Sequence, residues 1–348
     1  MGPMALAVGE PMQRLVIVAI AVLLAAYAAA ADTLDTVQAR GVIECGASPS
    51  LPGFSAVNDK GEQEGLENDY CRALAAAIFG DTAKVKFTVL PPRDVFTVLQ
   101  SGAIDIFAGH STRTFSRDVS LGVSFPAVYL YDGQGFMVTK KSGIKSVQEL
   151  NGASICLTQG SSSELSLADY FGANKMKYTA VAFADSEDDA RRAYENGRCD
   201  AWTTDRSILA ARGIGLRNRE QHVILPEVIT KSPIGPVVRH GDDRWRDVVY
   251  WTLGAMILAE EKGITSKDVD QAKATSKDAE VQRLLGTRDN VGKMFGLPQD
   301  WAYQIINKVG NYGEVWDRNV GPGTRLGLER GANALYSKGG LMYVPPFR

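Results

Sequence analysis

The chain has 348 residues, 45% of them hydrophobic and 22% charged, with a formal net charge of -2. That is enough chain for two domains with a full core. A balance so near neutral supplies no basic field for nucleic acid, and no run of like charge forms a tail, so no nucleic-acid partner is expected.

Residues 15–31 are almost wholly apolar, follow Arg14 and end in Ala28-Ala29-Ala30-Ala31 before Asp32-Thr33. This is the layout of a secretory signal, and residues 1–31 are expected to be one, cut after Ala30 or Ala31. A retained anchor is the competing reading, but a span wants about 20 apolar residues and this run is shorter. No cysteine sits at the cleavage point to take a lipid.

Strand and helix patterns then alternate: strand 41–45, helix 68–79, strand 84–90, helix 94–100 and strand 103–108. Such alternation argues an α/β fold around a sheet that is at least partly parallel, with ligands bound beyond the carboxyl ends of its strands. Residues 125–138 read as an extended crossing punctuated by glycines, after which a second set runs through 147–150, 154–157, 164–171, 182–183, 187–195 and 199–202. The two sets echo each other, since 99–105 and 194–200 are both helix end, glycine cap and strand start with Asp. Two lobes facing across a cleft explain the echo, and shared α/β grammar without pairing is the alternative. Residues 223–238 read as a second crossing, and two crossings make a hinge. Residues 245–260 form an amphipathic helix with Trp245, Val248, Val249, Thr252, Met256 and Ala259 on one stripe. Helices at 280–285 and 301–309 precede a loop-rich end.

The strand at 103–108 leads into His110-Ser111-Thr112-Arg113-Thr114-Phe115-Ser116-Arg117-Asp118, dense in hydroxyls and then basic. A guanidinium offers a rigid fork of donors that matches a carboxylate, so Arg117, with Ser111 and Thr112 beside it, can clamp one; pairing of Arg117 with Asp118 is the alternative. Opposite it, Ser161, Ser162 and Ser163 open a helix whose free N–H groups and dipole favour an anion, or else simply cap that helix with Glu164. Asp205 suits an ammonium, or else pairs with Arg206. Cationic clamp, helix N-terminus and facing carboxylate together describe a site for a zwitterion, which points to an amino acid.

Export makes the four cysteines informative, because an oxidising compartment permits disulfides. With two lobes, pairing Cys45 with Cys71 and Cys156 with Cys199 keeps each bridge inside one lobe; free buried thiols are the alternative. Catalytic signals are poor. The three histidines lie far apart without ligand spacing, and there is no nucleophile elbow, Walker motif or dinucleotide fingerprint, so neither metal, cofactor nor enzyme activity is expected.

Long collinear blocks carry a resemblance: Leu51-Pro52-Gly53-Phe54-Ser55, residues 65–73, 96–102, Ser116-Arg117-Asp118, residues 131–138, Thr203-Thr204-Asp205-Arg206-Ser207, residues 309–314 and 340–348. Together they resemble the periplasmic general L-amino-acid-binding proteins of ABC importers, a group of solute-binding protein family 3, over nearly the whole mature chain. The resemblance implies a two-lobed type II periplasmic binding fold with two crossing hinge strands. Lobe 1 would be 32–133 with a return segment at 233–270, lobe 2 would be 134–232, and 271–348 a C-terminal extension packed on the lobes.

It further implies a periplasmic monomer that closes on an L-amino acid and delivers it to an inner-membrane ABC permease. By position, Arg117 matches the family's α-carboxylate arginine and Asp205 its α-ammonium aspartate. Thr112 and Ser162 match hydroxyl and amide donors, Leu51 packs on the ligand, and Arg93 lies on the side-chain wall. Where relatives carry Asn-Thr-Thr-Trp-Thr, this chain has His110-Ser111-Thr112-Arg113-Thr114. Arg93, Arg113 and His110 would make that wall basic and favour acidic or amide side chains, unless the two arginines point to solvent. A rival from another class is a cyclohexadienyl dehydratase, which resembles these binders and would need His110 or Glu67 as its acid.

Overall fold

The computed structural model describes residues 32–184 and 187–348. The expected signal segment lies outside the described residues. The chain enters on helix α1 (Thr33–Arg40), capped by Asp32 and ended by Gly41 at φ 75°. Strand β1 (Ile43–Ala47) follows, then a small antiparallel hairpin of β2 (Ala56–Val57) and β3 (Gln63–Glu64). Helix α2 (Leu66–Phe79), strand β4 (Val85–Val89), helix α3 (Val95–Gln100) and the short strand β5 (Ile106–Phe107) complete the first αβ set. The sheet order is β4-β1-β5, all parallel, with Cys45 opposite Phe87 on one side and Ile106 on the other. Cys45 is disulfide-bonded to Cys71, which fastens the central strand to α2. Gly46 is required in β1, because a Cβ there would stand 2.6 Å from Ile104 and 2.8 Å from Phe107. Helix α4 (Phe115–Ser120) and strand β6 (Val123–Ser124) close this part.

Two extended segments join the lobes. Strand β7 (Leu130–Asp132) pairs antiparallel with β13 (Ser232–Ile234), which sets Asp132 directly beside Ser232. Between them lies a five-stranded sheet of order β10-β9-β11-β8-β12. Its strands are β8 (Gln134–Thr139), β9 (Ser154–Thr158), β10 (Thr179–Phe183), β11 (Ala201–Asp205) and β12 (His222–Ile224), and β9 is parallel to both β10 and β11. Helices α5 (Ser162–Ala173), α6 (Glu187–Glu195) and α7 (Arg206–Gly213) cover it. Cys156 of β9 is bonded to Cys199, just before β11. Residues 147–150, read as part of the second set, form a single 3-10 turn.

Strand β14 (Val238–Arg239) returns to pair with β6, and the chain enters α8 (Asp243–Glu261), capped by Asp242. All six residues of its expected stripe are buried, packed against α2 and the terminal helices. These are α9 (Val269–Thr275), α10 (Ala279–Leu284), α11 (Trp301–Lys308) and α12 (Tyr312–Asn319), the last opened by a reciprocal capping box between Asn311 and Glu314. The C-terminal stretch also grips the crossing: Tyr312 donates to Tyr129 O at 2.8 Å, and Asn333 both accepts from Tyr131 N (2.6 Å) and donates to Tyr131 O (3.0 Å). Among the described residues no helix is long and apolar enough to cross a membrane.

Candidate functional site

The loop leaving β5 is pinned before it reaches the cleft. Gly109 O accepts from the buried Tyr129 hydroxyl at 2.9 Å, and His110 N donates to Ser48 Oγ at 3.1 Å. Ser111 O then accepts from Gly235 N (3.3 Å), and Arg113 N donates to Pro233 O (2.8 Å), so the loop runs along β13 of the crossing. Thr114 caps α4 by accepting from Arg117 N at 3.3 Å. This places Arg117 in the first turn of α4, where its Nη1 donates to Thr112 O at 2.9 Å and its guanidinium lies 5.4 Å from the centre of the Phe96 ring. Asp118, the competitor in sequence, is taken by Arg113 at 2.6 Å and 3.1 Å instead. Burial pulls the Arg117 guanidinium below its usual value while the charge of Asp205 pushes it back up.

Asp205 ends β11 on the other wall. Ser232 Oγ donates to its Oδ1 at 2.7 Å, and Arg206, its sequence neighbour, reaches away to Leu225 O and Pro226 O. Burial, then the charge of Asp132, push the Asp205 carboxyl up to about 6 against the opposing pull of His110, Ser232 and Arg117. Nearby, Ser161 caps α5 by accepting from Glu164 N at 3.2 Å, while the Glu164 carboxylate accepts from Gly160 N at 2.7 Å. The first-turn N–H groups of Ser162 and Ser163 have no acceptor within their own helix, which makes this end a donor surface for an anion.

His110 is wedged between the lobes. Its Nδ1 is 2.8 Å from Glu67 Oε1 and its Nε2 is 2.8 Å from Ser207 Oγ in α7. Burial disfavours the charged ring, yet the hydrogen bond and charge of Glu67, with Asp205 and Asp132 beyond, outweigh it and hold His110 above its usual value. Burial pushes the Glu67 carboxyl up as well, so the pair keeps its shared proton to higher pH.

Leu51 and Ser111 are buried, Leu51 in a bridge with Ser55. Arg93 is 67% exposed in its side chain, 3.9 Å from Asp94, and Arg113 is 48% exposed in its ion pair. The basic wall read from Arg93, Arg113 and His110 is therefore spread over one ion-paired surface arginine, one arginine beside Asp94 and one buried imidazole.

Sequence reasoning did not single out Glu187, Thr158 and Arg212. Glu187 opens α6, its Oε1 accepts from Thr204 Oγ1 at 3.4 Å, and burial pushes its carboxyl up to about 7 against Arg212, with Thr158 and Thr204 pulling down and Asp205 pushing up. Arg212 pairs with Asp188 at 2.9 Å and reaches Pro49 O of the first lobe at 3.4 Å. Nothing in the spacing of these residues announces a cluster. Among the described residues, no group of three or more His, Cys, Asp or Glu could hold a metal ion.

Residues 43–267 match the family described as bacterial extracellular solute-binding proteins, family 3. The chain belongs to that family. Within it, the chain is 47% identical to the general L-amino acid-binding periplasmic protein AapJ of Rhizobium johnstonii, over 93% of this chain and 95% of that one. It is 48% identical to the glutamate/glutamine/aspartate/asparagine-binding protein BztA of Rhodobacter capsulatus, over 93% and 96%. A solved structure, the ABC transporter periplasmic binding protein of Brucella ovis with glutathione bound, is 50% identical with a TM-score of 0.89, over 92% of this chain and all of that one. Both lobes and the C-terminal stretch lie within these matches.

Proposed function

We propose that this chain captures L-amino acids between its lobes, outside the inner membrane, and hands them as a monomeric periplasmic carrier to the permease of an ABC importer. The observation that carries the reading is that Arg117 and Asp205, on facing walls, lie near enough to feel each other's charge while neither is paired with the other. One part-buried fork of donors and one buried acceptor are the complement of the two ends of an α-amino acid. Ser162, at the start of α5, adds backbone donors on the carboxylate side. Thr112, held in a backbone bridge with Ile234, accepts from Arg117 through its carbonyl and so ties the clamp to the crossing. The names of the 47–48% identical relatives support the ligand class, and that of the Brucella ovis structure supports the transporter partner.

A thermal-shift screen of the twenty amino acids tests this, run on the wild type and on Arg117→Ala. Stabilisation by several amino acids, lost in the variant, is expected, because truncating one partner of a buried charge pair costs about 2–5 kcal/mol. No shift with any amino acid would sink the reading. The Brucella ovis structure favours one addition to the screen, glutathione. Its glutamyl end keeps a free α-ammonium and α-carboxylate and offers the same two groups to Asp205 and Arg117. The dehydratase alternative is not favoured, since relatives matching more than nine-tenths of the chain are binding proteins.

A further inference from the structure

Eight buried side-chain atoms among the described residues lack a hydrogen-bond partner, and three of them, Glu187 Oε2, Thr158 Oγ1 and Arg212 Nε, belong to one cluster. Glu187 feels both Arg212 and Asp205, and the Thr158 hydroxyl stands close enough to favour its charged form without making a well-formed hydrogen bond. Thr158 ends β9, Thr204 and Asp205 end β11, and Glu187 begins α6, so the cluster sits on the carboxyl rim of the sheet, where ligands of such folds bind. Thr158 is 7% exposed, and leaving such groups unpaired is costly unless something else completes them.

The unpaired set is one acceptor and two donors. A terminal carboxamide is its complement: the NH2 group would donate to Glu187 Oε2, and the C=O would accept from Thr158 Oγ1 or Arg212 Nε. A side-chain carboxylate would satisfy the donors but bring a second charge against Glu187. An ammonium would satisfy Glu187 and leave the donors bare. An aliphatic chain would complete neither.

Resting on the amino-acid reading above, we propose that Glu187, Thr158 and Arg212 line the compartment for the ligand's side chain and select a terminal carboxamide over a carboxylate. Calorimetry with glutamine, glutamate, glutamate γ-methyl ester and alanine tests it at about pH 8. The ester is neutral and glutamine-sized but has no N–H to give. Wild type should bind glutamine at least about tenfold tighter than glutamate or the ester. In Glu187→Gln the glutamine-to-glutamate ratio should shrink at least about fivefold, with alanine unchanged within about twofold. Thr158→Val keeps the shape and removes a hydroxyl that makes no well-formed hydrogen bond in the fold, so it should weaken glutamine and leave alanine alone. Equal wild-type affinities for glutamine and the ester, or ratios untouched by both variants, overturn the proposal while leaving amino-acid binding intact. Failure to bind any of the four overturns the functional reading and this proposal together.

Discussion

His110 Nε2 and Ser207 Oγ meet at 2.8 Å across the cleft, joining the loop after β5 in one lobe to α7 in the other. As a contact between the lobes it is one that opening the cleft would break, and His110 is held ready for it by Glu67 on its other nitrogen. Interactions made in one state alone are the ones that shift a two-state equilibrium. Ser207→Ala should therefore open the cleft more readily. Loss of one such hydrogen bond is worth about 0.5–1.5 kcal/mol, so amino acids should leave about two- to tenfold faster in stopped-flow measurements. An unchanged release rate would show that the bond contributes nothing to closure.

Asp205 predicts a pH dependence with a definite sign. Its carboxyl, pushed up to about 6 by burial and by Asp132, must be charged to hold an ammonium. Affinity should be about tenfold weaker near pH 5 than near pH 7.5, as the group takes a proton. Calorimetry at the two pH values checks this, and equal affinities would remove Asp205 from the ammonium site.

The same shift bears on stability in the opposite sense. A carboxyl whose folded value lies above its unfolded value binds protons better in the fold, so its contribution falls as pH rises from about 4 to about 6 and stays low above that. Asp205→Asn should then raise the melting temperature of the ligand-free protein at about pH 8 by a few degrees, and by less near pH 4. It should do so while weakening amino-acid binding. A lower melting temperature at pH 8 would mean that the hydrogen bond from Ser232 outweighs the burial of charge.

The bonds Cys45–Cys71 and Cys156–Cys199 close stretches of 26 and 43 residues. Loops of that length remove about 3–4 kcal/mol of chain entropy from the unfolded state. Thiol titration of the denatured, unreduced protein should find no free thiol, and replacing Cys156 and Cys199 together by Ala should lower the urea midpoint without changing which amino acids bind. One or more titratable thiols per chain would refute the pairing.

Much of this protein is legible in its sequence because the signals are local. Alternating strand and helix patterns, glycines just past helix ends at Gly102 and Gly197, and the stripe from Trp245 to Ala259 each report the backbone and burial of a short stretch, and the structure repeats them. Strand-end placement let Arg117 and Asp205 be named, since a rim position follows from the α/β alternation itself. Helix α12 was legible too in principle, its Asn311 and Glu314 spaced as a capping box. What only the tertiary structure decided is the choice of partner. Asp118 could pair with Arg113 or Arg117 and takes Arg113; Asp205 could pair with Arg206 and takes Ser232, 27 residues on. In sequence Glu187 is merely the first residue of a helix, and Thr158, Thr204 and Arg212 become its surroundings only when β9, β11 and α7 pack beside it. Such contacts obey no spacing rule, because they are set by how separate elements pack and not by the stereochemistry of neighbouring residues.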